Sequence, residues 1–167
     1  AGVDSIDHGS FLKLDTLQLM KERGTYLVPT LMAPKGLETM TLPPTVRQKA
    51  DAAIASVSEM FRNAVRVGVK IAFGTDAGVY PHGRNAGEFA LMTNLGMTPA
   101  AALRSATTVA AELVGVDAGA LKAGKLADVV AVPGNPLQDI RVTERVFFVM
   151  KDGAVVKTTN ADRTPGR

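Results

Sequence analysis

The stretch "KIAFGTDAGVYPHGRNAGEF", residues 70–89, holds the decisive junction of the chain. An apolar run, Ile71-Ala72-Phe73, passes directly into a carboxylate, Asp76, set between Gly74 and Gly78. The run shows no polar alternation, which is how strands of a parallel sheet covered on both faces read. A carboxylate at the end of such a strand must be hydrogen-bonded, paired with a cation or bound to a metal, because an unpaired buried charge is costly.

Outward from that junction the sequence alternates between strand and helix patterns. Upstream, Val46, Ala50, Ala53, Ile54, Val57, Met60, Phe61, Ala64 and Val65 recur at three- and four-residue spacing up to Gly68, which predicts an amphipathic helix opened by the pair Thr45 and Gln48. Before it come a strand from Val3 to Asp7, a short helix over about 16–23 with Asp15 and Gln18 as its capping pair and Gly24 as its stop, a strand "TYLVPTLM" that Pro29 should end or bulge, and a Pro-rich loop. Downstream, Asn85 with Glu88 predicts a helix start and Gly96 its end. Thr98-Pro99 then opens a long alanine-rich helix. This order is the grammar of a parallel α/β sheet. From about residue 117 short β segments broken by Gly, Pro and Asn take over, with Asp152-Gly153 as a hairpin signal. The expected organisation is an α/β part over 1–116, a small β subdomain over 117–157 and a frayed tail over 158–167.

Composition narrows the function. The chain has 167 residues, 46% apolar and 21% charged, enough for one domain with a core. Its net charge of +3 is scattered, without a basic block, which argues against nucleic-acid binding. No apolar run is long enough to span a bilayer, and no signal-peptide pattern opens the chain. The compartment stays undetermined, with the cytoplasm as the default. With no cysteine, any metal has to be held by His, Asp, Glu or a modified Lys. "AGVDSIDHGS" opens like a strand already under way, so residue 1 is expected to lie inside a larger fold.

In parallel α/β folds the ligand site lies at the carboxyl ends of the strands. The first strand finishes in Asp7-His8-Gly9 and the third in Gly74-Thr75-Asp76, so His8 and Asp76 are expected to face one another across the mouth of a common cavity. Singly, each reads equally as a structural residue. Their shared location favours a joint role. The loop "VYPHGRNAGEF" follows, and His82, Arg84 and Tyr80 are its candidates for substrate contact, because Arg can hold a carboxylate at two points. The bland alternative for His82 and Arg84 is that of solvated loop residues. Tyr26 is a further candidate for the mouth, although an aromatic there, Tyr26 or Tyr80, is more often packing, while Asn85 and Glu88 read as helix caps and Asp128 as structural.

The motifs "AGVDSIDHGSFL", "GTYLVPTL", "FGTDAG", "HGRNAGEF", "MTPAAALRSATTVAAELVG", "GALKAGKLADVVAVPGNPLQDI" and "VFFVMKDGAVV", in this order, resemble the amidohydrolase superfamily, in particular its imidazolonepropionase-related branch with metal-dependent Xaa-Pro dipeptidases. The resemblance implies the last strands and helices of a (β/α)8 TIM barrel and the C-terminal part of a small β-sandwich. It implies a binuclear divalent metal site, zinc first among the candidates, with His8 a ligand of the more exposed ion. Asp76 would be bound to the other ion and act as the base that takes a proton from the attacking water. A bound divalent metal lowers the pKa of water toward about 7, and a carboxylate beside it suits the base role. The family's His-x-His pair, carboxylated lysine and further histidine have no counterpart here, and two ligands do not complete a four-coordinate site. The expectation is therefore a C-terminal portion of a hydrolase that cleaves a C–N bond in a dipeptide or other small substrate, silent by itself. The alternative is a non-catalytic α/β interaction or assembly module. Three barrel strands leave unpaired sheet edges, so the expected partner is the missing N-terminal half of the barrel or a second copy of the chain.

Overall fold

The computed structural model describes residues 2–38 and 40–159. It is a mixed α/β arrangement in which β1 (Ser5–Asp7) and β2 (Tyr26–Val28) pair in parallel, flanked by α1 (Leu14–Arg23). Helices α2 (Met32–Glu38), α3 (Pro44–Val67), α4 (Gly87–Asn94), α5 (Pro99–Ser105) and α6 (Thr108–Val114) follow. A separate antiparallel sheet, order β3-β4-β5, is built from β3 (Val129–Ala131), β4 (Phe148–Lys151) and β5 (Ala154–Thr158). A 3-10 helix, Ile140–Glu144, lies between β3 and β4 and packs on α4.

The register Ile6↔Leu27, continued by a parallel bridge Leu27↔Ile71, puts these side chains on one face of the ribbon. That face meets Leu17 and Met20 of α1 and Val57, Met60, Phe61 and Ala64 of α3 in one buried cluster, which Leu31 and Met92 complete. The 3.6-residue stripe of α3 is what allows this, and burying a side chain such as Phe61 contributes about 2 kcal/mol.

Several expectations need correction. The third strand, expected over Val69–Gly74, is reduced to the single bridge at Ile71, because Phe73 N–H turns away to donate to the carbonyl of Ser105 at 2.9 Å. Gly74 lets this segment cross β2 closely, since a Cβ there would collide with Val28 Cγ1. The Pro-rich loop "LPP" lies where expected, with Pro44 already starting α3, while α2 forms ahead of it, takes Met32 from the expected strand "TYLVPTLM" and holds Pro34 and Gly36. The alanine-rich helix breaks at Ala106-Thr107, where Thr107 Oγ1 donates back to the Leu103 carbonyl at 2.9 Å and Thr107 leaves helical geometry. The caps proposed for α1 and α3 do not form: their N-cap positions are Lys13 and Pro43, without side-chain bonds. Gly24, Gly68 and Thr98 do terminate or open helices as expected, and strand β2 ends before Pro29. Thr158 and Thr159, expected in a frayed tail, are ordered: Thr158 closes β5 and Thr159 N–H donates to the Phe147 carbonyl at 2.9 Å. The remainder of that segment, 160–167, and residue 1 lie outside the described residues. Among the described residues no helix is long and apolar enough to cross a membrane.

Candidate functional site

The three adjacent parallel segments each leave the sheet through a residue in the left-handed region. His8 follows β1 with φ 64°, Thr30 follows β2 with φ 49°, and Asp76 follows the Ile71 segment with φ 48°. Left-handed backbone is uncommon outside glycine and unusual for a β-branched residue such as Thr30. Each such residue costs on the order of 1 kcal/mol or more, and clustering of this kind is typical of functional sites.

These turns aim the side chains at one another. His8 Nε2 lies 3.8 Å from Asp76 Oδ2, with both side chains more than half exposed (54% and 61%). His8 Nδ1 is 2.6 Å from Thr30 Oγ1. This contact fixes the ring through Nδ1 and leaves Nε2 on the side of Asp76, the orientation that a metal-ligating imidazole needs. The donor set suits divalent metal: an imidazole and a carboxylate, 3.8 Å apart on one side of the ribbon. It is not a complete site. Among the described residues no group of three or more His, Asp or Glu could hold an ion.

The loop after Asp76 is anchored beneath the pair. Tyr80 donates its hydroxyl to the Thr75 carbonyl at 3.1 Å, and Asn85 Nδ2 donates to Thr75 Oγ1 at 2.7 Å. Tyr80 and Arg84 line a cleft of about 540 Å³ together with Met32, Lys35, Gly87 and Glu144, and neither His8 nor Asp76 belongs to its wall. His82 is exposed on the loop and outside that cleft.

Glu88 and Asn85 are not the caps that their spacing suggests. The N-cap of α4 is Ala86, without a side-chain bond. Glu88 is wholly buried, and its two carboxylate oxygens accept from Leu31 N–H at 2.8 Å and Met32 N–H at 2.7 Å. It thus caps α2 from across the fold. Burial pushes its carboxyl up to about 7, while the two backbone donors pull the other way.

Tyr26 lies at the opposite end of the ribbon from the mouth expected for it. It starts β2 and is buried, with Lys70 Nζ 3.3 Å from its hydroxyl and 4.9 Å from its ring centre. Lys70 also donates to Glu112 at 2.7 Å. Asp128 is structural as read: it takes Lys151 Nζ at 2.8 Å and Asp152 N–H at 2.7 Å, pinning the β4–β5 hairpin, and Lys151 holds its carboxyl below the usual range.

The amidohydrolase family profile matches residues 1–162. The chain belongs to the amidohydrolase family. Among curated proteins, ochratoxinase of Aspergillus niger is 34% identical over 167 aligned positions, which cover 94% of this chain and 34% of that protein. Among solved structures, a Xaa-Pro dipeptidase with methionine bound in its active site is 46% identical with a TM-score of 0.88, over 93% of this chain and 40% of that one. A prolidase complexed with N-methylphosphonate-L-proline is 34% identical with a TM-score of 0.87, over 95% of this chain and 41% of that one. The chain thus spans about a third to two-fifths of the length of these relatives. The likeness to Xaa-Pro dipeptidases read from the ordered motifs holds.

Proposed function

We propose that these residues form the C-terminal portion of a metal-dependent amidohydrolase that cleaves the C–N bond of a small substrate such as a dipeptide. In this reading the α/β part supplies the last strands of a (β/α)8 barrel and the β3-β4-β5 sheet belongs to the accompanying β-sandwich. The observation that carries it is the convergence of His8 and Asp76 at 3.8 Å on the carboxyl ends of neighbouring parallel segments, where such folds place their chemistry.

His8 and Asp76 would hold divalent metal, zinc being suited to both donors, and the remaining ligands come from the rest of the protein. When bound, the metal supplies an acidified water and polarises the scissile carbonyl. The chain's own residues do the rest. Thr30 fixes the His8 ring through Nδ1, and Asp76 stands exposed where its free carboxylate oxygen can accept a proton from water. Arg84 and Tyr80, on the wall of the 540 Å³ cleft, are the candidates for binding a substrate carboxylate. His82 remains a loop candidate for the same task. The dipeptide class is supported by the two proline-peptidase relatives.

The full-length protein, assayed for hydrolysis of Xaa-Pro dipeptides with metal content measured in parallel, tests the reading. Activity lost on chelation and restored by Zn2+ is the expected result. A protein that contains no metal, or that turns over without it, overturns the reading. The 167 residues alone are expected to be inactive, because they carry only part of the ligand set.

A further inference from the structure

We propose that Asn85 and Glu88, three residues apart where the chain enters α4, form a positioning clamp that sets the spacing and aim of His8 and Asp76. The inference rests on the metal-site reading above and assigns it two residues that touch neither substrate nor metal.

The Asn85 arm ends on the residue before Asp76, and the Glu88 arm ends on the residues that follow Thr30, the partner of His8. Glu88 grips the two consecutive N–H groups of Leu31 and Met32, at 2.8 and 2.7 Å, so the peptide planes that follow Thr30 are held at two points. Thr30, in the left-handed region, in turn holds His8 Nδ1 at 2.6 Å. Asn85 donates to Thr75 Oγ1 at 2.7 Å and accepts from Gly83 N–H at 3.2 Å, which ties the residue before Asp76 to the loop that follows it. Both arms spring from one rigid segment, so His8 and Asp76 take their positions from a common support.

A purely structural role explains this less well. The N–H groups at the start of a helix are ordinarily satisfied by a nearby Ser, Thr, Asp or Asn. Here a carboxylate with no solvent exposure is brought from the other side of the sequence to do so, despite the desolvation that this entails. A left-handed Thr30 relaxes toward ordinary backbone unless its neighbours over-determine it, and the two-point grip on residues 31 and 32 supplies that constraint.

The test uses the full-length protein loaded with Zn2+. Chelator competition gives metal affinity, the thermal midpoint of the metal-free form gives stability, and steady-state kinetics give kcat and KM. Glu88→Ala and Asn85→Ala are each expected to weaken zinc affinity about 10-fold or more and to lower kcat more than they raise KM. Glu88→Gln, which keeps one acceptor, and Asn85→Asp, which can accept from the Thr75 hydroxyl, are expected to recover part of the loss. Met20→Ala is the control: it opens a cavity in the last turn of α1, near the start of β2 and away from the site, and should lower the midpoint without changing zinc affinity. Should Glu88→Ala fail to fold, Asn85→Ala decides, since Asn85 is only half-buried. Variants that lose stability as Met20→Ala does, with zinc affinity equal to the parent's, overturn the clamp and leave the metal site standing. A parent protein that binds no zinc overturns both.

Discussion

The two ends of the same parallel ribbon carry polar clusters of opposite character. At the amino end, Lys70 joins Tyr26 and Glu112 through side chains on ordinary backbone, with Lys70 and Glu112 both about half exposed. At the carboxyl end, His8, Thr30 and Asp76 all occupy left-handed backbone, and a wholly buried carboxylate braces the turn behind them. The first cluster fastens strands at little conformational cost. The second holds side chains where relaxed backbone would not leave them, which is the pattern that the proposed site at this end requires.

That contrast can be broken most forcefully at Asp76. If the full-length protein is the proposed hydrolase, Asp76→Asn is expected to cut kcat by roughly 10^2 to 10^4, the range for losing a general base. Asparagine tolerates left-handed backbone, so the fold should survive. An unchanged kcat would remove Asp76 from the chemistry. Next comes His8→Asn, also compatible with its φ of 64°, which should weaken zinc retention by at least about 10-fold, as read by metal analysis after dialysis.

The pH response of stability comes third. Glu88 has its carboxyl raised to about 7, so its proton is held more tightly in the folded chain than in the unfolded one. Its contribution is fully present below the unfolded value of 4.5 and is lost as the pH climbs through about 7. The span is at most about 3 kcal/mol. Denaturant titrations of the metal-free protein from pH 4.5 to 8 should show this fall, and Glu88→Gln should flatten it; the same slope in the variant would contradict the assignment. The smallest effect belongs to the amino end. Lys70→Met should cost no more than about 1 kcal/mol, because its Glu112 pair is largely exposed, and should leave zinc affinity and kcat unchanged.

What could be read from the residues was whatever is encoded locally. The 3.6-residue stripe of α3, the stops at Gly24 and Gly68, the Thr98-Pro99 opening and the Asp152-Gly153 turn depend on neighbours within a few positions, and all appear. The convergence of His8 and Asp76 was legible because strand ends in a parallel sheet collect on one side. What escaped depends on distant partners. Helix α2 has no local signal, because it contains Pro34 and Gly36 and its cap comes from Glu88. Glu88 itself looked like a local cap, since its spacing from Asn85 fits one and only the fold reveals where the side chain goes. Tyr26 follows the packing alternative, because its place at the start of β2 puts it, buried, at the end of the ribbon away from the mouth. Thr30 was missed altogether; a residue just after Pro29, where the strand must stop, was the available signal.

The long reach of the Glu88 carboxylate also fixes an order of assembly during synthesis. A seven-residue segment containing Pro34 and Gly36 cannot persist as an isolated helix in water. As the nascent polypeptide leaves the ribosome, the two N–H groups after Thr30 therefore wait nearly sixty residues for the Glu88 carboxylate that accepts from them in the folded chain.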